Sequence, residues 1–116
     1  MLLLAIKQIQ RWKAMYKTDC INHGTIIISD GVNAIMLKDK AFTRAITTAL
    51  LRFCRNDWGC VPIGIKKRND GNLNNPNDLY LFGMYKTCKG KIHIITDKAT
   101  DNTGNNVTTI LWAEEH

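Results

Sequence analysis

LYLFGMYKTCKGKIHIITD, Leu79 to Asp97, is the stretch whose reading decides the fold. Two runs rich in aromatic and β-branched residues, LYLFGMYK and KIHIITD, flank a Lys89-Gly90 turn, which is the pattern of an antiparallel hairpin. In the second run Lys91, His93 and Ile95 alternate with Ile92, Ile94 and Thr96. Neither set is a clean polar face, so this strand is expected to be central and buried on both sides. Downstream, the turn-rich DNTGNN leads into VTTILWAEEH, which extends the hairpin by one strand. Upstream, GTIIIS (Gly24–Ser29), bounded by Gly24 and Asp30-Gly31, reads as another.

Between these strands the period changes to that of a helix. Asp39 is a suitable N-cap, and Phe42, Ile46, Ala49, Leu50 and Phe53 form an apolar stripe that reaches about Arg55. VNAIMLK before it reads as a short helix or turn, Gly59, Pro62 and Gly64 end the long helix, and GNLNNPND (Gly71–Asp78) reads as an exposed loop. At the other end Leu2, Ala5, Ile6, Ile9, Trp12 and Tyr16 recur at helical spacing, which predicts an amphipathic helix over residues 1–18. It either packs on its own domain or, because Met15 is a possible internal start, forms an appendage. The expected fold is a single α+β domain over residues 1–116. It is a small antiparallel sheet of three to four strands with two to three helices on one face.

At 116 residues the chain suits one domain that buries about two-thirds of its unfolded surface without covalent staples. The opening MLLLAI is too short for a membrane span and lacks the features of a secretory signal, so no membrane partner and a cytoplasmic location are expected. In that reducing setting four cysteines read as free thiols or metal ligands.

The net charge of +6 is unevenly spread. Residues 1–68 hold twelve Lys and Arg against four acids, whereas residues 69–116 hold four against six. A basic first half fits nucleic acid or an acidic protein face as partner, and argues against an acidic DNA mimic. Arg44, Thr48, Arg52 and Arg55 form one ridge on the long helix, opposite its apolar stripe. Guanidinium forks suit phosphate or carboxylate. With Lys66, Lys67 and Arg68 they are the candidate partner-binding residues; Trp58 is either a stacking surface or, more simply, an indole that packs against the sheet in the turn that ends the helix. No recognised helix-turn-helix, zinc-finger or RNA-binding signature is present.

Cys20 and His23 form a C-x2-H pair, and Cys54 and Cys60 flank the Asp57-Trp58-Gly59 turn. Together the four could close a tetrahedral structural zinc site. The alternative is a buried core thiol at Cys54 and a loop thiol at Cys60. Evidence for catalysis is thin. Cys88 and His93 have no orienting third group, and no phosphate loop, dinucleotide fingerprint or H-E-x-x-H is present. A metal-dependent hydrolase using Asp57, Asp70 and Asp97 is the remaining enzymatic alternative, and the expectation is that the protein is not an enzyme.

Four motifs occur in order: Asp57-Trp58-Gly59, Asn69-Asp70, Lys91-Ile92-His93-Ile94-Ile95-Thr96-Asp97, and Thr108-Thr109-Ile110-Leu111 with Glu114-Glu115. In these, from about Gly24 onward, the chain resembles a family of small proteins encoded on phages, prophages and plasmids. It departs from that pattern in the N-terminal helix, the Asn-rich loop, the DNTGNN insertion and His116, where the family tends to have an aromatic. The resemblance carries over no catalytic residue. It implies a mobile-element accessory protein that binds and blocks host defence machinery, such as a restriction enzyme or a CRISPR effector, with an anti-CRISPR role as the sharpest version. Guide RNA or other nucleic acid is a possible contact, and a basic nucleic-acid-binding accessory protein is the alternative.

Overall fold

The computed structural model describes residues 23–75, 79–98 and 104–116. The expected helix over residues 1–18, and Cys20, lie outside them. A first strand, β1 (Thr25–Ile28), leads directly into a short helix, α1 (Asp30–Met36). The Ser29 hydroxyl oxygen caps α1, accepting the Val32 N–H at 3.2 Å. Asp39 is the N-cap of α2 (Lys40–Cys54) as expected, its Oδ1 accepting the Phe42 N–H at 3.1 Å. There follow α3 (Ile63–Asn72), β2 (Leu81–Thr87), β3 (Gly90–Lys98), β4 (Asn106–Trp112) and a 3-10 turn at Ala113–Glu115.

The four strands form one sheet in the order β1-β4-β3-β2, so the fold is α+β with β3 central. β2 pairs antiparallel with β3, and β3 with β4, as the hairpin reading requires. β1 departs from the antiparallel expectation: it lies parallel to β4, with Thr25 opposite Val107 and Ile28 opposite Ile110, which makes the sheet mixed. No short turn joins these two strands. Three helices and a hairpin separate them, and a long crossover of that kind permits parallel pairing.

Register divides the sheet into two faces. Leu81, Gly83 and Tyr85, Ile92, Ile94 and Thr96, and Thr108, Ile110 and Trp112 share one face. Helices α1 and α2 pack there. The stripe Phe42, Ile46, Ala49, Leu50 and Phe53 is buried in full, joined by Val32 and Met36 from α1. Phe42 stacks on Trp112 at 5.3 Å. Gly83 admits the helix closely, since a Cβ there would stand 2.9 Å from a ring carbon of Phe53. Polar groups in the core are paired: the Thr96 and Thr108 hydroxyls lie 2.7 Å apart, and Thr108 donates to the His23 carbonyl at 2.7 Å. The opposite face carries Phe82, Met84, His93, Ile95, Val107, Thr109 and Leu111. No α-helix among the described residues packs on it, only His116 at the end of the closing 3-10 turn, so β3 is central but has α-helices on one side only.

Candidate functional site

The Asp57-Trp58-Gly59 turn closes α2 and fastens it to the margin of the sheet. Asn56 takes a left-handed conformation (φ 64°) just past the helix, where Asn is among the residues that tolerate it. The Asp57 carboxylate then accepts from Arg52 Nε at 2.8 Å and Nη2 at 3.2 Å, and from the Gly59 N–H at 3.1 Å. The Arg52 hydrogen bond, chiefly, holds the Asp57 carboxyl below the usual carboxylate range. The Asp57 carbonyl accepts the Tyr85 hydroxyl at 2.7 Å, and burial, followed by the nearby Asp57, pushes that phenol well above its ordinary value.

Beyond Asp57 the turn pairs with β2 like a fragment of a fifth strand. Met84 N–H donates to the Trp58 carbonyl at 3.0 Å, and Cys60 N–H donates to the Met84 carbonyl at 2.8 Å. Gly59 sits between them at φ 73°, and a Cβ there would stand 1.9 Å from the Met84 carbonyl oxygen. Only glycine fits. The Trp58 ring is 2% exposed, meets Phe53 edge-on at 5.5 Å and donates from Nε1 to Asp70 at 2.9 Å. Trp58 is therefore a packing residue, as its reading as a docked indole in a helix-ending turn expects, and the stacking-surface alternative falls away: the indole is enclosed between α2, α3 and the sheet.

Asp70 belongs to α3, a helix the sequence pattern did not reveal. IGIKKRNDGN contains two glycines and two asparagines and has no apolar stripe, so local preference argues against a helix. Side-chain bonds to the sheet supply what propensity does not. Asn69 is fully buried; its Nδ2 donates to the Phe82 carbonyl at 2.7 Å and its Oδ1 accepts the Phe82 N–H at 3.2 Å. Asn72 Nδ2 donates to the Tyr80 carbonyl at 2.8 Å. The spacing of Asp57-Trp58-Gly59 to Asn69-Asp70 was the one available signal, for the two motifs are bonded to each other.

The candidate partner-binding cations fall into two groups. Lys66, Lys67 and Arg68 are exposed on α3, with the Arg68 guanidinium 5.4 Å from the Tyr80 ring centre. Arg44, Arg52 and Arg55 lie exposed along and just past α2. Arg52 is tied into the turn through Asp57 and lies over the Tyr85 ring at 5.2 Å. The turn thus joins the two groups, Arg52 through Asp57 and α3 through the Trp58–Asp70 bond. Beside it lies an open depression of about 280 Å³ lined by Arg52, Gly59, Cys60, Met84, Tyr85 and Lys86.

The proposed zinc ligands are differently placed. His23 is buried against Phe53 at 5.5 Å, Cys54 is buried at the end of α2, and Cys60 is exposed with its Sγ 3.4 Å from the Met84 carbonyl. Among the described residues no three His, Cys, Asp or Glu side chains gather as a metal-holding group, and Cys20 is outside them. The three hydrolase acids also have separate surroundings. Asp57 and Asp70 are bonded into the turn, whereas Asp97 Oδ1 accepts the Lys98 N–H at 2.7 Å near the far end of β3.

The open face of the sheet holds a cluster that sequence reasoning did not single out. Phe82 meets His93 edge-on at 4.7 Å and stacks on His116 at 5.4 Å, and the two imidazole Nδ1 atoms are 3.1 Å apart. Burial lowers the His93 pKa, with the neighbouring His116 and Lys91 acting in the same direction and Glu114 opposing them. No described helix is long and apolar enough to cross a membrane. No protein-family model, curated protein or solved structure matches the chain.

Proposed function

We propose that this chain is a non-catalytic binding module of a mobile element, which engages and blocks a nucleic-acid-targeting defence complex in the host bacterial cytoplasm, such as a CRISPR effector. The observation that carries this reading is the use made of α3. Asn69 and Asn72 hold the helix to the margin of the sheet and Asp70 holds it to the turn through Trp58, while Lys66, Lys67 and Arg68 stand exposed on it. A helix with so little propensity of its own is kept in place by tertiary bonds, and its cations are presented on a rigid support. Arg44, Arg52 and Arg55 are exposed on the other side of the turn, along and just past α2. Such a surface suits an acidic protein face, or a channel built to hold nucleic acid. The bonding of Asp57 and Asp70 into the turn supports binding over hydrolysis, because both carboxylates already have structural partners.

The test is reconstitution. Purified protein added to a CRISPR effector loaded with guide RNA is expected to suppress target cleavage at near-equimolar amounts. Reversing the α3 charges (K66E/K67E/R68E) should raise the amount required by about tenfold or more, with melting temperature little changed. Undiminished cleavage at large excess, across effectors of the main classes, overturns the reading.

A further inference from the structure

The sheet face opposite the helices has the makings of a second contact surface, distinct from α3. Its centre is the ring cluster of Phe82, His93 and His116, in which His116 is exposed and Phe82 half-buried. Two residue pairs from Met84 and His93 along the hairpin, Lys86 stands opposite Lys91 on this same face, both exposed. His93 lies two residues along the strand from Lys91, roughly 7 Å, and Phe82 four from Lys86, roughly 13 Å. Planar rings that lie two to four residues of strand from paired ammonium groups, which themselves reach out on long side chains, match the two parts of a nucleotide: a base with an open π-face, and a phosphate. An apolar protein patch would make use of the rings and of Met84, Ile95 and Leu111, but would leave two lysines to be desolvated unpaired.

We infer that this face binds single-stranded nucleic acid, an unpaired base stacking on the His116–Phe82 rings while Lys86 and Lys91 contact the adjoining phosphates. The ligand must be single-stranded, because bases paired within a duplex present edges and not faces. The inference uses a different surface from the proposed defence-complex contact and stands or falls separately from it.

The experiment is fluorescence anisotropy of the full chain with a short labelled oligothymidylate, titrated across salt. The wild type is expected to bind at low salt and to release steeply as salt rises. K86A/K91A should flatten the salt slope by about 1.4, each lysine contributing about 0.7 on a single strand. Phe82→Leu, which keeps an apolar side chain but removes the ring, should weaken binding by about tenfold, with an unchanged circular dichroism spectrum. K66E/K67E/R68E should have the smaller effect. Four results overturn the inference: no binding at low salt; equal affinity for duplex; loss of binding in the α3 variant with none in the sheet-face variants; or a wild-type dimer that Phe82→Leu converts to monomer, which would make a second copy the occupant.

Discussion

Asn69 stands in for a missing strand at Phe82, its amide making both of the bonds that a neighbouring backbone would make, at 2.7 and 3.2 Å. With Asn72 on the Tyr80 carbonyl and the Trp58–Cys60 turn on Met84, the outer margin of β2 is satisfied from Tyr80 to Met84 without a fifth strand. An unprotected margin is a template for unwanted pairing, and this stretch of it is closed.

Replacing Asn69 tests the substitution of side chain for strand. Asn69→Ala leaves the Phe82 N–H and carbonyl without partners, with an expected loss of about 2 kcal/mol or more in urea unfolding. Asn69→Asp should be at least as damaging although it is nearly isosteric, because a carboxylate sets a second acceptor against the Phe82 carbonyl. Equal stability of wild type and Asn69→Asp would rule out the donor role of Nδ2.

The glycines should respond with opposite signs. Gly59→Ala demands a Cβ where the Met84 carbonyl already stands, at a backbone conformation costly to any L side chain, and should lose more than about 2 kcal/mol. Gly64 and Gly71 lie within α3 with nothing within 4 Å of an added Cβ. Gly64→Ala and Gly71→Ala should each stabilise the protein by up to about 1 kcal/mol, read as a rise in thermal midpoint.

The Arg52–Asp57 pair should give a modest, pH-dependent contribution. Because the Asp57 carboxyl is lowered in the fold, its stabilisation is present above the ordinary carboxylate pKa of about 4 and is lost as pH falls through and below that value. Both side chains are about half exposed (46% and 50%), which limits the pair to about 1 kcal/mol or less. Asp57→Asn should therefore be slightly less stable than wild type near neutrality, the gap closing in acid. A gap that widened in acid would reverse the assignment.

His93 should give the same sign at higher pH. Its pKa is lowered in the fold, so the unfolded chain takes up the proton first, and stability falls as pH drops below about 6.5. Two imidazoles with facing nitrogens cannot share a hydrogen bond once both are protonated. Nuclear magnetic resonance titration should place the His93 ring below the ordinary histidine value, and His116→Ala should move it upward. The assignment fails if His93 titrates above that value.

How much of this was legible before the structure depends on whether each signal was local. The α2 stripe and the Asp39 cap are written in consecutive turns of one helix, and the β2–β3 hairpin in two runs around one turn, so both were readable. The direction of β1 was not, because Thr25 meets Val107 through a pairing no local turn specifies. Helix α3 was hidden for a different reason: its stability comes from Asn69, Asp70 and Asn72 reaching other elements, and its own residues speak against it. The six cations were legible as exposed charge, but Arg52 was not legible as a residue half engaged in closing a turn. The Phe82–His93–His116 cluster was invisible because it unites alternate residues of two strands with one from the final turn, which only a known register brings together.

The parallel seam between β1 and β4 sets the order in which the molecule can be completed. Thr25 waits for Val107, and the partner strand follows every other element named above except the closing 3-10 turn. The hairpin and its antiparallel extension close short loops and can form early, whereas the β1 seam closes nearly the longest loop available and so is expected last. During synthesis the Thr-Ile-Ile-Ile segment is among the first of the described elements to leave the ribosome and the last to find its place. Its apolar strand then stays open to other pairings until β4 has been made.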